Sequence, residues 1–173
     1  MADLIPAWID GELKPAEKMD VHLQGLRHKA VSVFLLDGNR VLLQKRAASK
    51  YHTPGLWSNT CCTHPNWDEP PDDCALRRLD EELGITGVPL NFRHQAEYRA
   101  DVGGGMTEHE LVDIFVGSVT SAIRITPNPA EVSEVEWSDL NDLTKETEND
   151  PGKFTPWLGI YLRQHSKKIF AGN

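Results

Sequence analysis

The apolar residues of the chain fall into short β-branched runs separated by turns, with helical spacing in only a few places. Ala30–Leu36 and Arg40–Lys45 are two such runs, and Asp37-Gly38-Asn39 between them has the composition of a hairpin turn. Arg93–Asp101 and Thr107–Ser118 flank Gly103-Gly104-Gly105 in the same way, and Glu131–Trp137 alternates before a helix start at Ser138-Asp139. From Asp72 to Leu83 the period changes. Ala75, Leu76, Leu79 and Leu83 recur at helical spacing, acidic residues open the segment and Gly84 follows its end. Thr155–Ile169, carrying Trp157, Leu158, Ile160, Tyr161 and Leu162, predicts an amphipathic final helix. A short helix is also expected to open at Pro15, with Glu17 in its first turn, and to run toward His22. Pro54-Gly55, Trp57–Thr60 and the Pro-containing stretch up to Pro71 read as loops, where sites are often carried. The order β, β, α, β, β, α predicts an α/β (α+β) fold, a mixed sheet sandwiched by helices.

Composition narrows this picture without redirecting it. A length of 173 residues, with 39% hydrophobic and 25% charged residues and no internal repeat or linker, suits one domain spanning 1–173, of which 1–29 form an N-terminal elaboration. A net charge of −8 would repel a phosphate backbone, so nucleic acid is not expected as a partner. A small phosphorylated substrate is compatible with it, because a few converging Lys and Arg side chains suffice locally. The opening MADLIPAWID has no basic n-region or apolar h-region, and no apolar run approaches the ~20 residues that span a bilayer. A cytoplasmic protein without membrane insertion is expected. The three cysteines, Cys61, Cys62 and Cys74, are an odd number and two are adjacent, which does not read as a disulfide framework.

Candidate chemistry gathers at a few positions. Glu108 and Glu110 lie two apart in an expected strand, so both carboxylates project from one face and His109 from the other. Two like charges on a half-buried strand call for a cation or a shared proton, although an isolated pair also suits a solvent-facing edge. Cys62 and His64 repeat that spacing if their segment is extended, while Cys61 reads as a small buried hydrophobe. His22 and His28 precede the first long strand and can bring two imidazoles to one end of the sheet. Three histidines and two carboxylates would make a five-ligand site suited to Zn²⁺ or Mn²⁺.

Glu69–Ile85 reads EPPDDCALRRLDEELGI and matches E-x7-R-x-U-x-E-E-x-G-U, with U aliphatic. It resembles the Nudix box, a loop-helix-loop that presents glutamates to a divalent ion on a diphosphate, as the oxygen preference of Mg²⁺ suits. Two positions depart from that pattern: Thr63 stands at the expected glycine, and Arg78 replaces a glutamate. Arg78 removes a carboxylate and adds a phosphate donor.

Taken in order, Lys18-x3-His22, the run Lys45–Lys50, Pro54-Gly55-Leu56-Trp57, Asn59–Pro65, the altered box and Glu108-x-Glu110 closely resemble the type 1 isopentenyl-diphosphate isomerases, over most of residues 15–160. The resemblance implies that Cys62 and Glu110 are the catalytic pair, with Tyr98 assisting Glu110. It implies a metal held by His22, His28, His64, Glu108 and Glu110, and Mg²⁺ held on the diphosphate with help from Glu82. Lys18, Arg46, Lys50 and Arg78 would neutralise the diphosphate, and Trp157 would line the hydrocarbon pocket. The Cys62 pKa is expected to fall beside the metal. Taken singly, Trp157 also reads as core, Tyr98 as a strand aromatic, and Lys18 or Lys50 as a surface charge. His52, His94, His109 and His165 match no motif position and are read as structural. A second reading, a Nudix hydrolase of a nucleoside diphosphate derivative, is favoured by the box, opposed by Arg78, and gives Cys62 and Glu108-x-Glu110 no role.

Overall fold

The computed structural model describes residues 3–172. Strands β1 (Leu4–Ile9) and β2 (Glu12–Glu17) form a hairpin that leads into helix α1 (Lys18–Gln24). Asp10 and Gly11 turn it with φ of 53° and 80°, the paired positive angles that match the right-handed twist of the strands. The helix expected from Pro15 is corrected by this hairpin. Pro15 lies in β2 opposite Pro6, on an edge strand that tolerates its missing N–H. The helix starts at Lys18 behind Glu17, whose carboxylate accepts from the Asp20 backbone N–H.

The hairpin predicted around Asp37-Gly38-Asn39 exists at its tip and then opens. β3 (His28–Asp37) and β4 (Arg40–Arg46) pair at Leu36–Val41 and Asp37–Arg40 only. Beyond the tip, β3 runs parallel to β8 (Met106–Ser118) and antiparallel to β6 (Cys61–Thr63). β4 pairs instead with β9 (Val132–Asp139) and with β5 (Trp57–Ser58), a short strand in the stretch read as a loop. β7 (Asn91–Gly103) and β8 make the long hairpin that the three glycines predict.

Alternate side chains of β3 feed two cores, which is why its whole length is apolar. Ala30, Phe34 and Leu36, with Val112, Ile114 and Val116 of β8, meet Leu143 of helix α3 (Leu140–Asn149) and the C-terminal helical run. Val31, Val33 and Leu35, with Cys61, meet Cys74, Ala75, Leu79 and Leu83 of helix α2 (Pro71–Leu83) on the other side. The sheet is therefore mixed and sandwiched by helices, as its element order predicts. Leu76 is a correction: it sits one residue around the helix from Ala75 and is 44% exposed. Asp139 caps α3, accepting from the N–H groups of Asn141 and Asp142. The expected helix over 155–169 is interrupted: α4 (Pro156–Ile160), a π turn (Tyr161–His165) and α5 (Ser166–Ile169) follow one another. Among the described residues no helix is long and apolar enough to cross a membrane.

Helix α2 is tied at both ends. Glu69 grips Arg77 through two contacts of 2.6 and 2.7 Å, so the first glutamate and the arginine of the box clamp the loop to the helix. At the other end Gly84 adopts φ of 63°, and the Thr126 and Asn128 N–H groups donate to the carbonyls of Leu83 and Glu82. A Cβ on Gly84 would stand 3.0 Å from the Thr126 Cβ and 3.1 Å from its carbonyl oxygen. Gly84→Ala is expected to lower the unfolding free energy by at least about 1–2 kcal/mol, the cost of a left-handed L-residue, with further loss from that clash. Urea unfolding at an unchanged m-value measures it, and an unaltered midpoint would refute the cap.

Candidate metal centre and active site

The site grows out of two pairings at the start of β3. Parallel register with β8 sets His28 opposite Glu110, and the two-residue strand period puts Glu108 on the same face. Antiparallel register with β6 sets Ser32 opposite Cys62, after which the chain leads into His64. Tyr98 of β7 lies opposite Glu110 from the far side of β8. Helix α1 packs against β8 and delivers His22.

These side chains converge within the protein. The rings of His22, His28 and His64 form a triangle with centroids 4.9, 5.0 and 5.0 Å apart. Oε2 of Glu108 faces all three, at 3.2 Å from His22 Nε2, 3.2 Å from His28 Nε2 and 3.8 Å from His64 Nε2. One ligand atom from each of these four residues lies within 4.8 Å of every other. Glu110 stands at the edge of the cluster: Oε1 is 3.1 Å from His64 Nε2, and Oε2 accepts a 2.6 Å hydrogen bond from the Tyr98 hydroxyl.

The donor set fits a divalent metal ion. His22 Nδ1 and His28 Nδ1 lie 2.6 and 2.8 Å from the carbonyls of Lys18 and Leu26, which fixes each ring with Nδ1 donating outward and Nε2 facing the cluster. His22 Nε2 is buried there without a hydrogen-bond partner among the described residues. Burial pushes the Glu108 carboxyl up, but the four histidines around it prevail and hold it well below the usual carboxylate range. Burial lowers the His28 pKa in the same way, and Glu108 and Glu110 outweigh that effect and raise it to about 10. Burial also lowers His64.

Next to the cluster is a cleft lined by Cys62, Tyr98, Glu110 and Trp157 and by the cations Lys18, Arg46, Lys50 and Arg78. The Cys62 thiol donates to Asn59 Oδ1 at 2.9 Å and lies 3.2 Å from the Ser32 hydroxyl. In the metal-free protein burial pushes it up to about 12. Hydrogen bonds with Ser32, Ser58 and Asn59 oppose that rise, and desolvation together with the Glu110 charge outweighs them. Trp157 is 2% exposed and donates its indole N–H to Ser58 Oγ, so it is both core and cleft wall. Lys18 and Lys50 lie 4.8 and 5.8 Å from the centre of the Tyr51 ring. The Lys18 pKa is lowered by burial and by the charges of Lys50 and Arg78, as convergence of these cations requires. Glu131, not singled out in the sequence, pairs with Lys50 at 2.6 Å and approaches Arg78 at 3.6 Å.

Glu82 alone among the sequence candidates stands apart from the cluster and the cleft. It is buried on α2, with Oε1 2.6 Å from Arg78 and Oε2 accepting from Gln44. His109 points away from the cluster toward Glu97, and His94 meets His165, in keeping with their structural reading. His52 departs from that reading: its Nε2 lies 2.7 Å from Glu108 Oε1. Its only sequence signal was its place beside Lys50 and just before Pro54-Gly55.

The NUDIX domain family matches residues 26–158. A crystal structure from Deinococcus radiodurans superposes with a TM-score of 0.73 at 15% identity, covering 92% of this chain and 96% of that one. A MutT NUDIX hydrolase from Burkholderia pseudomallei gives 0.62 at 22% identity, covering 80% and 98%. Such likenesses speak for the fold. Sequence relatives decide the family. An isopentenyl-diphosphate Delta-isomerase of Jannaschia sp. is 61% identical over 166 residues, 96% of this chain and 94% of the relative. One of Cereibacter sphaeroides is 58% identical over 171 residues, 99% and 97%.

The chain belongs to the isopentenyl-diphosphate Delta-isomerase family, within the NUDIX fold.

A divalent ion at this cluster would compete with a proton for His28. Its raised pKa means that the stability it contributes is complete below pH 6.5 and is lost as pH climbs toward about 10. In metal-free protein its share of the unfolding free energy should begin to fall near pH 6.5 and approach a slope of about 1.4 kcal/mol per pH unit by pH 7.5–8.5. Urea melts across that interval measure the slope, which His28→Gln should remove; an equal slope in the variant would refute the pairing.

Proposed function

We propose that the protein interconverts isopentenyl diphosphate and dimethylallyl diphosphate by moving a proton on at one carbon and off at another. The observation that carries this reading is the cleft itself: a thiol and a carboxylate, Cys62 and Glu110, line the same cavity as an aromatic wall and four cations. Nucleotide hydrolysis gives no use to that pair.

In this reading the diphosphate enters at Lys18, Arg46, Lys50 and Arg78, and the hydrocarbon end reaches Cys62 and Glu110. A proton added to the terminal methylene leaves a tertiary carbocation, and removal of a proton from the carbon nearer the diphosphate forms the new double bond. Two proton-transfer groups are needed, and Cys62 and Glu110 serve. The Tyr98 hydroxyl holds Glu110 Oε2 and so orients the carboxylate. Trp157 offers its face to the cation, worth about 1–2 kcal/mol in a desolvated site, and its burial excludes the water that would capture the cation.

His22, His28, His64, Glu108 and Glu110 would hold Mn²⁺ or Zn²⁺, whose charge lets two carboxylates stay ionised at the reacting end. Glu82 would help hold Mg²⁺ on the diphosphate through the oxygen that now meets Arg78. Residues 1–173 work as one NUDIX-like isomerase domain with 1–29 as its elaboration, and the free Cys61, Cys62 and Cys74 suit a cytoplasmic setting.

Metal-loaded protein incubated with isopentenyl diphosphate in D₂O should yield deuterated dimethylallyl diphosphate by proton NMR, with no phosphate released in the phosphorus spectrum. Release of phosphate instead would establish hydrolysis. Cys62→Ala and Glu110→Gln should each lower turnover by roughly 10²–10⁴-fold or more with the far-UV spectrum intact. Ordinary turnover in either variant would remove that residue from the chemistry.

A further inference from the structure

The two oxygens of Glu108 face different groups. Oε2 looks into the triangle of His22, His28 and His64, whereas Oε1 lies 2.7 Å from His52 Nε2, outside the set of mutually close ligand atoms. His52 is buried, and the 2.7 Å contact sets its Nε2 against that carboxylate oxygen. Its other nitrogen, Nδ1, lies 3.0 Å from the Thr53 hydroxyl. With that hydroxyl donating to Nδ1, the ring hydrogen sits on Nε2, the nitrogen aimed at Glu108.

The backbone beneath His52 is held at a visible cost. Thr53 adopts φ of 45°, in the left-handed region that a β-branched residue avoids. Arg46 compensates by donating to the His52 carbonyl at 3.1 Å and to the Thr53 carbonyl at 3.2 Å. The His52 ring meets Trp157 edge-on at 5.9 Å. A histidine that were only filling space would need neither the strained turn nor the buried guanidinium.

We propose that His52 is a positioning residue of the metal centre. By occupying Oε1 of Glu108 it leaves Oε2 as the single oxygen offered to the ion, and through its carbonyl and ring it couples that carboxylate to Arg46 and Trp157. The proposal rests on the reading of the histidine and glutamate cluster as a metal site. It concerns how Glu108 is aimed, not whether the cluster binds.

Co²⁺ titration of metal-free protein, followed by visible absorption and by competition with a chromophoric chelator, tests both levels separately. Wild type should take one Co²⁺ at the cluster and His28→Ala should lose it; failure of wild type to do so would overturn the metal reading and this proposal together. His52→Phe should still take one Co²⁺, with affinity about 10–100-fold lower and shifted absorption bands. His52→Gln, whose amide can donate to Oε1, should recover most of that loss. Thermal melts of the metal-free variants check that both fold. Wild-type affinity and spectrum in His52→Phe would overturn the proposal. So would complete loss of Co²⁺ from both folded His52 variants, which would make His52 a ligand.

Discussion

Everything in the site depends on the parallel register between β3 and β8. His28 lies opposite Glu110 because of it, Glu108 follows on the same face, and β6 brings Cys62 and His64 from the other edge of the same strand. A slip of one residue would turn Glu108 and Glu110 to the α2 side of the sheet and His109 into the cluster. The apolar alternation of β3 resists that slip, since Val31, Val33 and Leu35 belong to one core and Ala30, Phe34 and Leu36 to the other. Packing on both faces of a strand thus fixes the geometry of a polar site at its end.

That geometry lets the protein bury two carboxylates in one place. Glu108 is 2% exposed and Glu110 6%. An ion taken from water costs several kcal/mol even after relaxation, unless partners repay the loss. Each oxygen here has such a partner: His22 and His28 at one oxygen of Glu108, His52 at the other, His64 and Tyr98 at those of Glu110. Two carboxylates held this close would favour a cation beside them. The cleft is lined by four cations as well as by the thiol and the indole.

The sequence showed this arrangement where chemistry follows strand period and failed where it follows the path of a loop. Glu108-x-Glu110 was legible because period two puts alternate residues on one face, and α2 because its apolar spacing and Gly84 mark it unmistakably. The N-terminal hairpin was missed although Asp10-Gly11 marks its turn, because Pro15 and Glu17 also suit a helix start. Convergence of His22, His28 and His64 on Glu108 follows from tertiary pairing, which no local pattern encodes. His52 was passed over for a related reason: an imidazole in an irregular turn has no period, and what places it is Arg46 bonding to two carbonyls.

The altered box shows how one fold can turn from phosphate bonds toward chemistry at carbon. Glu69 and Arg77 keep a purely architectural task, clamping the loop onto α2. Arg78, where the pattern has a carboxylate, reaches Glu82 at 2.6 Å and Glu131 at 3.6 Å, so one acidic ligand has become a cation of the cleft. The change removes a carboxylate from the helix that would cradle a metal-bound diphosphate and would add a donor for the diphosphate in the proposed reaction. Acidic residues suited to an ion are concentrated instead on β8, beside the thiol and the indole. In the proposed reaction, charge that a hydrolase would set around the scissile phosphate would be shared between two stations, one for the diphosphate and one for the hydrocarbon.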